Sequence, residues 1–149
     1  MEVISTLVGV AFGFFLSIIY DRVKHYLSFK SYLRMFLHEI ETNLKIIDEG
    51  RAITGIPIEP TLMTTAYSSL VSSGYLDRLP HDLKEMIERV YGLIFIRNGL
   101  LMSGFFMLTI TFEGKRTKGH QIVSEYTLII KDQLLKLRKM LINEIKGLL

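Results

Sequence analysis

Four polar residues interrupt otherwise apolar helical stripes. Glu39 lies one helical turn before Asn43, and Tyr91 lies two turns before Asn98. Both asparagines stand at positions where an apolar side chain would pack better. A buried amide must find partners or cost ~1–3 kcal/mol. In paired helices an asparagine in the seam fixes register and lowers stability. Glu39, Asn43, Tyr91 and Asn98 are therefore expected to form one buried or half-buried polar cluster between two helices. Such a cluster is either a register-setting network or a ligand pocket. If it only sets register, replacing both asparagines with Leu should raise thermal stability.

Other constellations are thinner. His38 and Glu41 share a helix face at i, i+3, but no second pair stands at ligand spacing. His25, His38, His81 and His120 are scattered. There is no Cys, no HExxH, no Walker loop, no GxGxxG and no GxSxG. The sequence thus nominates no catalytic residue, no metal and no cofactor. Lys115-Arg116-Thr117-Lys118 is basic but lacks aromatic interleaving, so it reads as a solvated turn, not a nucleic-acid surface. Helical ribonucleases of the HEPN class carry Arg, often followed by Asn, and then His several residues later. Arg97-Asn98 begins that way, but no His follows before His120. Arg34 and His38 have the right types with one residue too few between them.

Helices must position these groups. Phe29, Leu33, Phe36, Ile40, Asn43 and Ile47 follow a heptad spacing, as do Ile87, Tyr91, Ile94, Asn98, Leu101 and Phe105. Tyr126, Ile130, Leu134, Leu137, Leu141, Ile145 and Leu148 lie closer to an eleven-residue repeat. The spacing predicts helices over 28–49, 61–73, 80 to at least 102, and from between 118 and 122 to the C-terminus. Gly50 and Gly74 serve as stops, and Pro80 occupies a first helical position. Residues 51–60 form a loop. The prediction is an all-α chain: an N-terminal transmembrane helix, then an antiparallel bundle of three long helices and one short one.

The membrane segment comes from Val3–Tyr20, which contains no charged residue. At ~1.5 Å per residue it covers roughly 27 Å, close to the ~30 Å hydrocarbon core of a bilayer. A cleaved signal peptide would begin with a positive region and end in small residues; here Met1-Glu2 precede the run and Ile18-Ile19-Tyr20 close it. A retained anchor over 1–27, followed by a bundle over 28–149, fits better. Arg22, Lys24, Lys30 and Arg34 all follow the span, so the N-terminus should lie outside and the bundle in the cytoplasm. Arg22, Lys24 and Lys30 should also meet anionic lipid headgroups, which accounts for much of the formal net charge of +3. Ser5, Gly9, Gly13 and Ser17 recur every fourth position, a face suited to close helix pairing in lipid.

Gly99–Phe112 is uncharged but too short to span, and Arg97 and Asn98 block its extension. It is expected to be buried in the bundle or to lie on the membrane surface; a re-entrant or second spanning segment is the alternative. Thr109–Phe112 also alternates in the manner of a strand.

The run Leu37-His38-Glu39-Ile40-Glu41-Thr42-Asn43-Leu44 contains the pattern L-x-E-I-x-x-N-L. Ala66-Tyr67, Ser73-Gly74-Tyr75-Leu76, Leu79-Pro80, Leu83, Tyr91 and Asn98 follow in order. This stretch resembles uncharacterised prokaryotic membrane-anchored helical proteins, with Tyr67 where those often carry tryptophan. The resemblance implies a shared fold with Glu39, Asn43, Tyr91 and Asn98 as fixed polar points, and it brings no activity with it.

Together these features point to a non-enzymatic scaffold, partner-recruiting or regulatory module at the inner membrane face. Its partners would be the bilayer and either further copies of itself or another membrane protein. A subunit of a homo-oligomeric pore is the second reading, with an amphipathic helix lining the entrance; a HEPN-like nuclease is the third.

Overall fold

The computed structural model describes residues 2–49, 60–102 and 118–148, with side chains from Thr6 in the first stretch and from Ile122 in the last. Four α-helices pack together: α1 (Glu2–Glu49), α2 (Thr65–Ser72), α3 (His81–Met102) and α4 (Lys118–Gly147). The 51–59 loop, most of the apolar 99–112 segment and the basic turn at 115–117 lie outside the described residues.

The predicted anchor and first bundle helix are one uninterrupted helix of 48 residues. No proline falls within it, so nothing forces a break where the uncharged stretch ends. At ~1.5 Å per residue it is about 72 Å long. Its two halves have different surroundings. Thr6–Leu27 is exposed throughout, with Phe12, Phe14 and Phe15 at 62%, 70% and 59% exposure. From Phe29 onward the expected seam is buried: Phe29, Leu33, Phe36, Ile40, Asn43 and Ile47. The exposed half makes α1 long and apolar enough to cross a membrane, and it is the one such helix among the described residues.

Helix α2 begins at Thr65, four residues later than its composition predicts, because the backbone of Leu62 and Met63 bonds to asparagine side chains instead of helical neighbours. Gly74, at φ +70°, closes it in the left-handed conformation, its N–H donating to the Val71 carbonyl over 3.0 Å. A 3₁₀ turn at Leu76–Arg78 and extended Leu79 lead into α3. Pro80 precedes α3 instead of opening it; its carbonyl accepts the Lys84 N–H at 3.0 Å.

Consecutive helices alternate in direction. Asn43 meets Met63, Glu39 meets Ala66 and Tyr32 meets Tyr75, so α2 descends along α1. Tyr67 stacks on Tyr91 with ring centroids 4.4 Å apart, while Asn98 meets Leu62, so α3 rises again. Helix α4 returns: Lys131 pairs with Asp48 at 2.6 Å, Arg138 with Glu41 at 2.9 Å, and the Tyr26 hydroxyl donates to the Leu148 carbonyl. These surface ion pairs contribute little, ~0–1 kcal/mol each. The core between them, with Leu33, Phe36, Ile40, Ile87, Ile94, Leu134 and Leu137 all 0% exposed, supplies the cohesion.

Candidate functional site

The chain between Pro60 and Tyr67 runs against both α1 and α3. Its first residues are neither helix nor strand, so their backbone groups need side-chain partners. Asn43 supplies one pair: its Oδ1 accepts the Met63 N–H at 2.7 Å and its Nδ2 donates to the Met63 carbonyl at 2.9 Å. Asn98 does the same for Leu62, accepting at 3.0 Å and donating at 2.8 Å. Each amide thus pairs with one residue as a neighbouring strand would.

Glu39 serves the next stretch. Its carboxylate accepts the Ala66 N–H at 2.6 Å, the Tyr67 N–H at 3.2 Å and the Tyr91 hydroxyl at 2.8 Å. The first turn of a helix leaves such N–H groups without partners, and an N-cap side chain usually takes one. Thr64, at the N-cap of α2, makes no such bond. Glu39 replaces it from another helix and sets an anion at the positive end of α2.

The four predicted residues therefore do meet, but in a different manner from the one expected. Only Glu39 and Tyr91 bridge α1 and α3 directly; Asn43 and Asn98 grip the segment that lies between. They do not pair across a seam. That reverses the expected stability of the leucine variants, because four backbone groups would lose their partners.

Arg97 and Thr127 complete the site; the sequence marked Arg97 only as the start of an incomplete HEPN-type motif and a block to membrane insertion, and did not mark Thr127 at all. Arg97 is 2% exposed; its Nη1 donates to the Pro60 carbonyl at 3.0 Å and its Nε to Thr127 Oγ1 at 2.8 Å. Thr127 in turn donates to the Val123 carbonyl at 2.8 Å. Arg97 lies three residues after Ile94 and seven after Val90, which is core spacing. That signal was available, but its charge made it read as a barrier to membrane insertion.

Burial, and then the charge of Glu39, pushes the Tyr91 hydroxyl far above the ordinary phenol range. Burial and Glu88 raise Tyr67 as well. Both phenols stay protonated at neutral pH, so Tyr91 acts as a fixed donor. What this arrangement does chemically is hold a stretch of backbone.

The remaining candidates are dispersed. His38 is exposed, and Glu41 is engaged by Arg138. Among the described residues no group of three His, Cys, Asp or Glu could hold a metal ion. Arg34 is exposed, and Asn98 is occupied by Leu62. Gly9 and Gly13 border open space, where an added Cβ would meet no atom within 4 Å. Followed along the unbroken helix at ~3.6 residues per turn, the Gly9–Ser17 face falls opposite the Leu33–Phe36–Ile40 seam. The Ser5 side chain lies outside the described residues. Arg22 and Lys24 are exposed, and Lys30 is half-buried.

Comparison with known proteins returns no matching family model, no similar curated protein and no similar solved structure.

Proposed function

We propose that the chain is a single-pass membrane protein, N-terminus outside, whose cytoplasmic bundle recruits or scaffolds a partner at the inner membrane face. The supporting observation is the contrast along α1. One half is exposed and uncharged from Thr6 to Tyr20, and the other buries its apolar stripe in the bundle. The bundle's buried polar groups turn inward onto the chain's own backbone, which favours a structural role for them over substrate handling. The free outer surfaces are then what the module offers a partner. Anchor pairing through Gly9 and Gly13 is compatible with this, because that face lies opposite the bundle.

The absence of cysteine makes topology directly measurable. Glu2→Cys should react with an impermeant maleimide on intact cells, and Lys139→Cys should react only after lysis. The reverse pattern would invert the orientation, and release of the chain by alkaline carbonate would remove the anchor. Gly9→Leu with Gly13→Leu should abolish crosslinked dimers if the anchor pairs, and leave them intact if the bundle does. Affinity capture from mild detergent should then return a defined partner besides the chain itself.

A further inference from the structure

Three elements widely separated in sequence converge at the end of the bundle nearest the candidate span. Tyr75 packs on Phe29 and Tyr32, with ring centroids 5.5 and 5.0 Å apart, which brings the 3₁₀ turn to this level of α1. The Arg78 guanidinium stands over the Tyr75 ring, 5.1 Å from its centroid. The C-terminal end of α4 arrives through the bond from Tyr26 to Leu148, with Lys146 exposed beside it. Lys30 and Arg34 project from α1 at the same level. None of these four basic residues has an ion pair among the described residues. Asp77 is neutralised by Lys84; Asp82 and Glu144 also lie at this end but do not outweigh the cations.

We propose that this end of the bundle is a docking surface for anionic phospholipid headgroups, with Arg78 and Lys146 extending the basic collar that α1 carries alone in the sequence. The inference rests on α1 being the anchor. Because α1 is unbroken, its height is set: Tyr20 to Tyr32 spans about 18 Å of helix. The headgroup layer takes up roughly 5–8 Å of that; Lys30, two residues nearer the span, stands about 15 Å along the helix from Tyr20, so roughly 7–10 Å separates it from the headgroups, about one Debye length of ~8–10 Å, and the collar feels the surface charge. Aromatic rings beside the cations suit the same zone. The bundle would then sit upright against the membrane instead of swinging freely on a stalk.

The test uses the full chain in vesicles, labelled through single cysteines with an environment-sensitive dye and read against a headgroup-attached quencher. Ser73→Cys reports the near end, and Lys45→Cys the far end. Quenching at Ser73→Cys should be about twofold greater in phosphatidylglycerol-enriched than in phosphatidylcholine vesicles, and should fall in high salt. The far label should be insensitive to lipid charge. Arg78→Gln with Lys146→Gln should clearly diminish the lipid dependence while far-ultraviolet circular dichroism stays unchanged, and Arg78→Lys should retain it. Equal quenching in both vesicles, or an undiminished difference in the double variant, overturns the proposal. Loss of protein from the vesicles in alkaline carbonate is a separate result: it overturns the anchor and this inference with it. Retention with equal quenching overturns the docking alone.

Discussion

Glu39→Gln isolates the strongest claim about the bundle, that a carboxylate on one helix caps another. The wild-type side chain is 4% exposed and accepts three hydrogen bonds, from Ala66, Tyr67 and Tyr91. Glutamine keeps one acceptor oxygen and turns its NH2 toward a donor. At least one of the three bonds is lost, and the survivors lose their charge assistance. Hydrogen bonds to charged groups contribute ~1.5–3 kcal/mol, and an anion at a helix N-terminus adds ~0.3–1 kcal/mol. The combined cost is about 2–4 kcal/mol. For a bundle of this size that corresponds to a fall in Tm on the order of 6–16 °C. Thermal unfolding in detergent, followed by helical ellipticity, reads this directly. Tyr91→Phe removes one partner of the same network, so the double variant should lose less than the sum of the two singles. A fall in Tm below about 2 °C for Glu39→Gln, or strict additivity with Tyr91→Phe, would refute the cap, since groups in one network couple by ~0.5–3 kcal/mol.

Two further outcomes follow from the same geometry. Asn43→Leu with Asn98→Leu should lower Tm, because the N–H and C=O groups of Leu62 and Met63 lose their side-chain partners; Leu62 is buried and carries most of the cost, at ~1–3 kcal/mol per orphaned group, whereas exposed Met63 recovers part of its bonding from water. A rise in Tm would restore the register-only explanation. At high pH the sign is set by Tyr91, whose folded-state pKa lies above its unfolded value near 10.0. Above that value the unfolded chain releases this proton and the folded chain holds it. Stability is therefore complete below about pH 10 and declines above it, by up to ~1.4 kcal/mol per pH unit from this group. Urea unfolding across this range should show a shallower alkaline decline in Tyr91→Phe than in wild type; identical slopes would contradict the burial of the hydroxyl.

Much of the bundle was legible because helical periodicity is a local property. Phe29 to Ile47 and Ile130 to Leu141 are buried where their spacing puts them, and Gly74 ends α2 as a left-handed glycine must. Glu39, Asn43, Tyr91 and Asn98 were visible as polar breaks in apolar stripes. Their partners were not visible, because those partners are backbone groups of Leu62, Met63, Ala66 and Tyr67, and every residue type carries the same N–H and C=O. The late start of α2 has the same origin: side chains distant in sequence outbid the local helical bonds at residues 62 and 63. Arg97 was misjudged for a related reason. Its type argues for solvent, and only the Pro60 carbonyl and Thr127, brought from two other parts of the chain, make its burial tolerable.

By itself, the order of residues determines which segments become helices and which stripe of each is apolar. It also sets the uncharged stretch that exposes phenylalanines along the first half of α1. Those follow from hydrogen bonds and side-chain directions repeating within one or two turns. Tertiary structure alone decides that Glu39 caps α2, that two asparagines act as strand-like partners for the crossing segment, and that Tyr75 and Leu148 come to rest against Phe29, Tyr32 and Tyr26 of α1. Each depends on groups tens of residues apart meeting within about 3–6 Å, a condition that hydrophobic packing of the helices imposes and no local pattern encodes.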